Sequence, residues 1–120
     1  MKRSQADELA VLAAMKRDRS LARVEQVARQ MSRISADIER IRSAGSRGQD
    51  EGAIDPARLA GADRTWAAAS QQQIANLQRQ LAGLRVAHEQ VLSDARLAFG
   101  RSEAAKNIAA LEAKSRQKKS

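Results

Sequence analysis

His88 is the only histidine in the 120-residue chain, and cysteine is absent. A zinc site needs several nitrogen, sulfur or oxygen ligands at set spacings, and a nucleophilic triad needs a base beside a nucleophile. A lone imidazole with no thiol near it builds neither. The chain also carries no P-loop, no G-x-G-x-x-G and no carboxylate cluster around its histidine. No catalytic residue, metal site or cofactor is therefore expected, and no small-molecule substrate. What remains with chemical character is charge, one tryptophan, and the pattern of apolar side chains.

The formal net charge is +8, and its location matters. Lys2 and Arg3 stand at one end of the sequence, and Lys114, Arg116, Lys118 and Lys119 at the other. Without those six the chain holds sixteen basic against fourteen acidic groups, close to balance. If the chain folds back on itself, both ends meet in one basic tip. Such a tip attracts an acidic partner, a membrane surface or a nucleic acid. The competing reading is a pair of solvated, frayed tails.

Two apolar seams make the fold-back the expected architecture. Val24, Val27, Met31, Ile34, Ile38 and Ile41 recur at alternating steps of four and three residues. Ala67, Ser70, Ile74, Leu77, Leu81, Leu84, His88 and Val91 do the same. This is the a/d pattern of a coiled coil. Folding near Ile54 matches Ile41 with Ala67, Ile38 with Ser70, Ile34 with Ile74, Met31 with Leu77, Val27 with Leu81 and Val24 with Leu84. In that register His88 faces Ser20 and Arg17 faces Val91, a polar interruption that fixes pairing at a cost in stability. The expected fold is an all-α, long antiparallel two-helix coiled-coil hairpin forming a single domain over 1–120.

Composition agrees. With one Phe, one Trp and no Tyr, the chain lacks the large aromatics that fill a multilayer core. Helix one is expected over 5–43, about 60 Å long at 1.5 Å per residue, with residues 1–4 disordered or Ser4 capping it and Asp7 and Glu8 at its positive end. Gly45, Gly48, Gly52, Gly61 and Pro56 mark a Gly-rich loop over 44–63. Within it, Asp55-Pro56 suits a short helical turn at 56–60. Helix two is expected over 64–113, with Asp63 as its cap, followed by a basic tail at 114–120. The loop is long for a helical hairpin and its composition favours mobility. No apolar run spans a bilayer, and Leu9 to Met15 reads as an amphipathic helix start; the chain is expected in the cytoplasm.

Beyond Val91 the seam positions become small: Ala95, Ala98, Ser102, Ala105. A second stripe, Leu97, Ala104, Ile108 and Leu111, lies on another face. Either the seam changes register near Gly100 and this stripe packs on residues 9–15, or the stripe meets another molecule. Trp66 opens helix two beside the loop, where it staples the loop or forms an exposed hot spot.

From Trp66 a resemblance enters. Trp66, the run Gln71-Gln72-Gln73, and then Ile74, Leu77, Leu81 and Leu84 resemble the start of the second helix in flagellar type III export stalk proteins of the FliJ type. Leu9-Ala-Val-Leu12 through Lys16-Arg17-Asp18-Arg19 is similar to that family's leucine-then-charged opening. Ala95-Arg96-Leu97 through Arg101-Ser102-Glu103-Ala104 is similar to its C-terminal helix. The likeness spans nearly the whole chain, which is short and aromatic-poor for the family. Injectisome stalk proteins of the YscO type share the plan. The resemblance implies an antiparallel coiled coil like the stalk of the rotary ATP synthase, with helical ends inserted into the export ATPase ring. It further implies contacts with the export gate and export chaperones, and peripheral membrane association through those partners. It puts the helix-two face near Gln73, Leu77 and Leu81 toward partners, although the seam itself buries the two leucines.

The expected function is a non-enzymatic stalk or coupling component of a flagellar or type III protein export apparatus. Its partner-binding residues would be the basic tip (Lys2, Arg3, Lys114, Arg116, Lys118 and Lys119), together with Arg96, Arg101 and Lys106. Trp66, Gln73, Leu97, Ile108 and Leu111 join them as contact candidates. The alternatives are a structural or adaptor coiled coil, homodimeric through the uncovered stripe, and a basic nucleic-acid-binding protein. The last predicts affinity that falls steeply with salt, and the sequence has no zinc finger or stacking aromatic set to support it.

Overall fold

The computed structural model describes residues 4–50 and 56–119, with side chains described for 4–45 and 61–119. The chain is all-α: α1 covers Gln5–Asp50 and α2 covers Pro56–Lys119, folded back as an antiparallel two-helix hairpin. Segments of both helices pair within each of two compact units. The terminal unit joins Met1–Val27 to Ala87–Ser120, and the inner unit is Ala28–Val86.

The helix ends follow from their side chains. Ser4 Oγ accepts a hydrogen bond from the Asp7 N–H at 3.1 Å, and the Ser4 carbonyl accepts one from the Glu8 N–H at 3.0 Å. Together they satisfy two of the donors that a helix start leaves free. Asp7 and Glu8 add negative charge at the positive end of the helix. At the other end, Arg116, Lys118 and Lys119 lie in the last turn of α2, where cations complement the negative pole. Arg116 also pairs with Glu112 at 2.5 Å, one turn back. The residues read from the sequence as a basic tail over 114–120 are therefore helical through Lys119.

The expected loop over 44–63 is much shorter. α1 continues through Asp50 and α2 starts at Pro56, so no separate turn stands at 56–60 and Asp63 caps nothing. A glycine in a helix costs about 1 kcal/mol relative to alanine, which scattered glycines among strong helix formers do not turn into a break. At Gly61 the Thr65 hydroxyl, one turn on, also donates to the backbone carbonyl at 3.0 Å. The expected mobility of the loop falls mainly on residues 51–55, which lie outside the described residues, as do 1–3.

In the inner unit Ile38, Ile74 and Leu81 form the buried core, with Met31, Ile34, Ile41 and Leu77 packed against them. The seam residues are those expected, but the register differs. Ile34 shares a groove with Leu84, and Ile38 shares one with Leu81, not with Ser70. The two seams are displaced by about one heptad. The terminal unit shows the same displacement. Arg17 reaches Ser102, although the expected register would place those residues about 16 Å apart along the axis, beyond an arginine's reach. His88, half-buried, accordingly stands level with Val27, and Ser20 with Ala95.

The terminal unit is closed by small side chains. Ala95, Ser102 and Ala105 are its buried residues, and Ser102 is fully enclosed at 0% exposure. On α1 the facing positions are the half-buried Ala6, Ala10, Ala13 and Arg17. The seam thus keeps its phase through Gly100, and no change of register occurs there. Helices that meet through alanine and serine approach more closely than those meeting through leucine.

One glycine has a specific task. A Cβ at Gly45 would lie 2.8 Å from the Trp66 ring, so the ring seats directly on the α1 backbone. Gly83 and Gly100 have nothing within 4 Å of the same position. Gly100→Ala should therefore stabilise the protein by about 1 kcal/mol in thermal unfolding. Gly45→Ala should instead displace the ring and shift the fluorescence of the only tryptophan to the red. An unchanged spectrum would show that the ring does not rest there.

Candidate interaction surface

Arg17 is the most connected polar side chain in the terminal unit. Its Nη1 donates toward Ser102 Oγ at 3.5 Å, the long limit of a hydrogen bond. Its Nε and Nη2 meet Asp18 Oδ1 at 3.1 Å each, and its guanidinium lies 5.8 Å from the centre of the Phe99 ring. That distance is within the range of a cation–π contact. An arginine inside an apolar seam is thus held by three partners, and it lets its aliphatic stem line the helix interface. Sequence reasoning placed Arg17 in the seam but assigned it Val91 as its neighbour.

The large apolar side chains near the helix ends lie outside the seam. Leu9 and Leu12 on α1 are exposed, as are Leu97, Ile108 and Leu111 on α2, the last at 66%. Residues 9–15 therefore do not cover the Leu97–Leu111 stripe. Among the described residues, nine of the eleven exposed large apolar side chains belong to the terminal unit. Single exposed leucines need no explanation, but a concentration of them at one end of two helices marks a contact surface.

The expected basic contacts divide. Arg96, Arg101, Lys106, Lys114, Arg116, Lys118 and Lys119 are exposed or at the surface of α2 in this unit. Lys106 is engaged by Glu103 at 3.6 Å and Arg116 by Glu112. Lys2 and Arg3 lie outside the described residues. Trp66 and Gln73 belong to the inner unit, where they line a groove of about 450 Å³ with Ile41, Ala44, Ser70 and Leu77. Trp66 is half-exposed while its ring rests on Gly45, so it serves as a staple and still presents an edge to solvent. Leu77 packs against the inner core and Leu81 is buried in it, leaving Gln73 as the accessible member of that set.

Sequence reasoning missed Leu9, Leu12 and Met15 as part of the uncovered surface. The signal was present: these residues fall out of phase with Ala6, Ala10, Ala13 and Arg17, which continue the Val24–Ile41 seam backward. Among the described residues there is no group of acids or histidines that could hold a metal ion. None of the described helices is long and apolar enough to cross a membrane. No protein-family model matches the chain, and no curated protein or solved structure matches it either.

Proposed function

We propose that this protein is a non-enzymatic docking component, a stalk or coupling element of a type III protein export apparatus whose terminal unit engages the export ATPase ring. The observation that carries the docking part is the concentration of exposed leucine, isoleucine and methionine in the terminal unit, beside surface cations. The identity of the ring as partner rests on the resemblance of the Trp66 to Leu84 stretch and of both helix ends to export stalk proteins. Contacts with the export gate and chaperones belong to the same reading. Binding that favours the assembled ring shifts assembly by mass action, which would raise ATPase activity without any chemistry by this chain.

Sedimentation equilibrium, with the protein alone and with an export ATPase, tests the reading. A monomer that joins the hexameric ring in substoichiometric amount is the expected result. A stable homodimer indifferent to the ATPase would replace it with the second reading, an adaptor paired through Leu97, Ile108 and Leu111, which their exposure favours.

A further inference from the structure

The seam of the terminal unit has two flanks, and the charges are sorted between them. In an antiparallel helix pair, the residues just before each a position on the two helices lie on the same side, and those just after each d position lie on the other. On the first flank α1 places Leu9, Leu12, Lys16, Arg19 and Arg23. On the same flank α2 places Leu97, Arg101, Ala104, Ile108, Leu111 and Lys118. Asp94 is the single acid there, two turns from Arg101, and it accepts a hydrogen bond from Gln90 Nε2 at 3.3 Å. The acids Asp7, Asp18, Glu25, Glu89 and Glu103 all fall on the second flank.

The register seen at Arg17 and Ser102 brings the first flank together. It sets Leu9 within a turn of Ile108, and Lys16 within a turn of Arg101. Two rows of exposed leucine and isoleucine therefore run along this flank, with the small Ala104 between Ile108 and Arg101. Beside the apolar stretch, Lys16 of α1 and Arg101 of α2 share the same flank. Among the described residues Lys16, Arg19, Arg23 and Arg101 form no ion pair, whereas the second flank pairs Lys106 with Glu103. Like charges facing each other across helices are unfavourable, so this arrangement opposes compaction of the free protein and favours an incoming anion.

We infer that the first flank of the terminal unit is a docking face for an acidic amphipathic helix of a partner protein. This rests on the docking reading above and names the chemistry of its occupant. A helix lying along the two rows buries its leucines against Leu9, Leu12, Ile108 and Leu111, in the helix-in-groove manner. Its flanking carboxylates meet Lys16 and Arg101, which removes their mutual repulsion and speeds encounter at low salt. A second copy of this chain is a poorer occupant than an acidic helix, because an isologous contact would bring the same unpaired cations of both copies into one interface.

The test uses the full-length protein and a synthetic three-heptad amphipathic peptide with leucine at a and d and glutamate beside them. A twin peptide carries lysine in place of glutamate, and phosphatidylserine vesicles serve as a third probe. The glutamate peptide is expected to bind at low salt and the lysine twin not to bind. Lys16→Glu with Arg101→Glu should weaken binding at least about tenfold, while Arg29→Glu with Arg85→Glu, an equal change of net charge at exposed positions of the inner unit, changes it by less than about twofold. Circular dichroism of both variants shows whether the helices persist. Equal losses in the two variants, binding of both peptides alike, or capture of vesicles without the peptide would overturn the proposal. If the peptide fails while the protein still joins the ATPase ring, the helix-docking face falls and the docking reading stands. If both fail, the docking reading falls with it.

Discussion

Ser102→Leu is expected to destabilise the protein by about 2–3 kcal/mol, whereas Ser102→Ala changes stability by less than about 1 kcal/mol. Ser102 is fully enclosed; its seam neighbours Ala95 and Ala105 are buried alanines, and α1 faces it with the half-buried Ala10, Ala13 and Arg17. Leucine adds two heavy atoms and a branch that this spacing cannot hold, so the helices must part or the side chain must leave its rotamer. Alanine keeps the volume and loses only a long contact from Arg17, whose guanidinium retains Asp18 and Phe99. In thermal unfolding followed by circular dichroism, the leucine variant should melt roughly 10 °C lower. If the leucine variant melts with the wild type, the small-residue seam is not closed in solution.

The second large effect belongs to the inner unit. Leu81→Ala or Ile38→Ala should each cost about 3 kcal/mol, because each removes a buried aliphatic side chain from a core with few members. With only two helices, no third layer can collapse into the space. Leu111→Ala, at an exposed position, should shift stability by no more than about 0.5 kcal/mol. Urea unfolding of the three variants separates these outcomes, and a comparable loss in Leu111→Ala would mean that the terminal face is covered in the free protein.

The seams, the Ser4 cap and the two-helix architecture could be read from the spacing of Val24 to Ile41 and Ile74 to Leu84 and from the order Ser4, Asp7, Glu8. The pairing between the seams could not. A heptad repeat matched against another heptad repeat looks as good after sliding by seven residues. Ile34 finds a leucine or isoleucine in either alignment; Ile38, which shares a groove with Leu81 and not with Ser70, and Arg17, with its definite partners, tell them apart. The terminal surface was half legible. Leu97, Ile108 and Leu111 stood out by size, but Ala95, Ser102 and Ala105 were undervalued as seam residues because a small side chain carries little weight in an apolar pattern. Leu9 and Leu12 read only as an amphipathic helix start that the Leu97–Leu111 stripe could pack on, and both are exposed. At Gly45, glycine read as a breaker, when its role is to admit the Trp66 ring.

The small-residue seam has a dynamic consequence. Alanine and serine bury far less apolar surface than the isoleucines and leucines of the inner core, and local opening free energy scales with what is buried. Backbone amides at Ala95, Ser102 and Ala105 should therefore exchange with deuterium ahead of those at Ile38, Ile74 and Leu81. The helix pair is graded, with its least persistent turns beside its most exposed leucines. A partner that settles on those leucines holds the same turns closed, so its footprint would be written in slowed exchange at alanines it never touches.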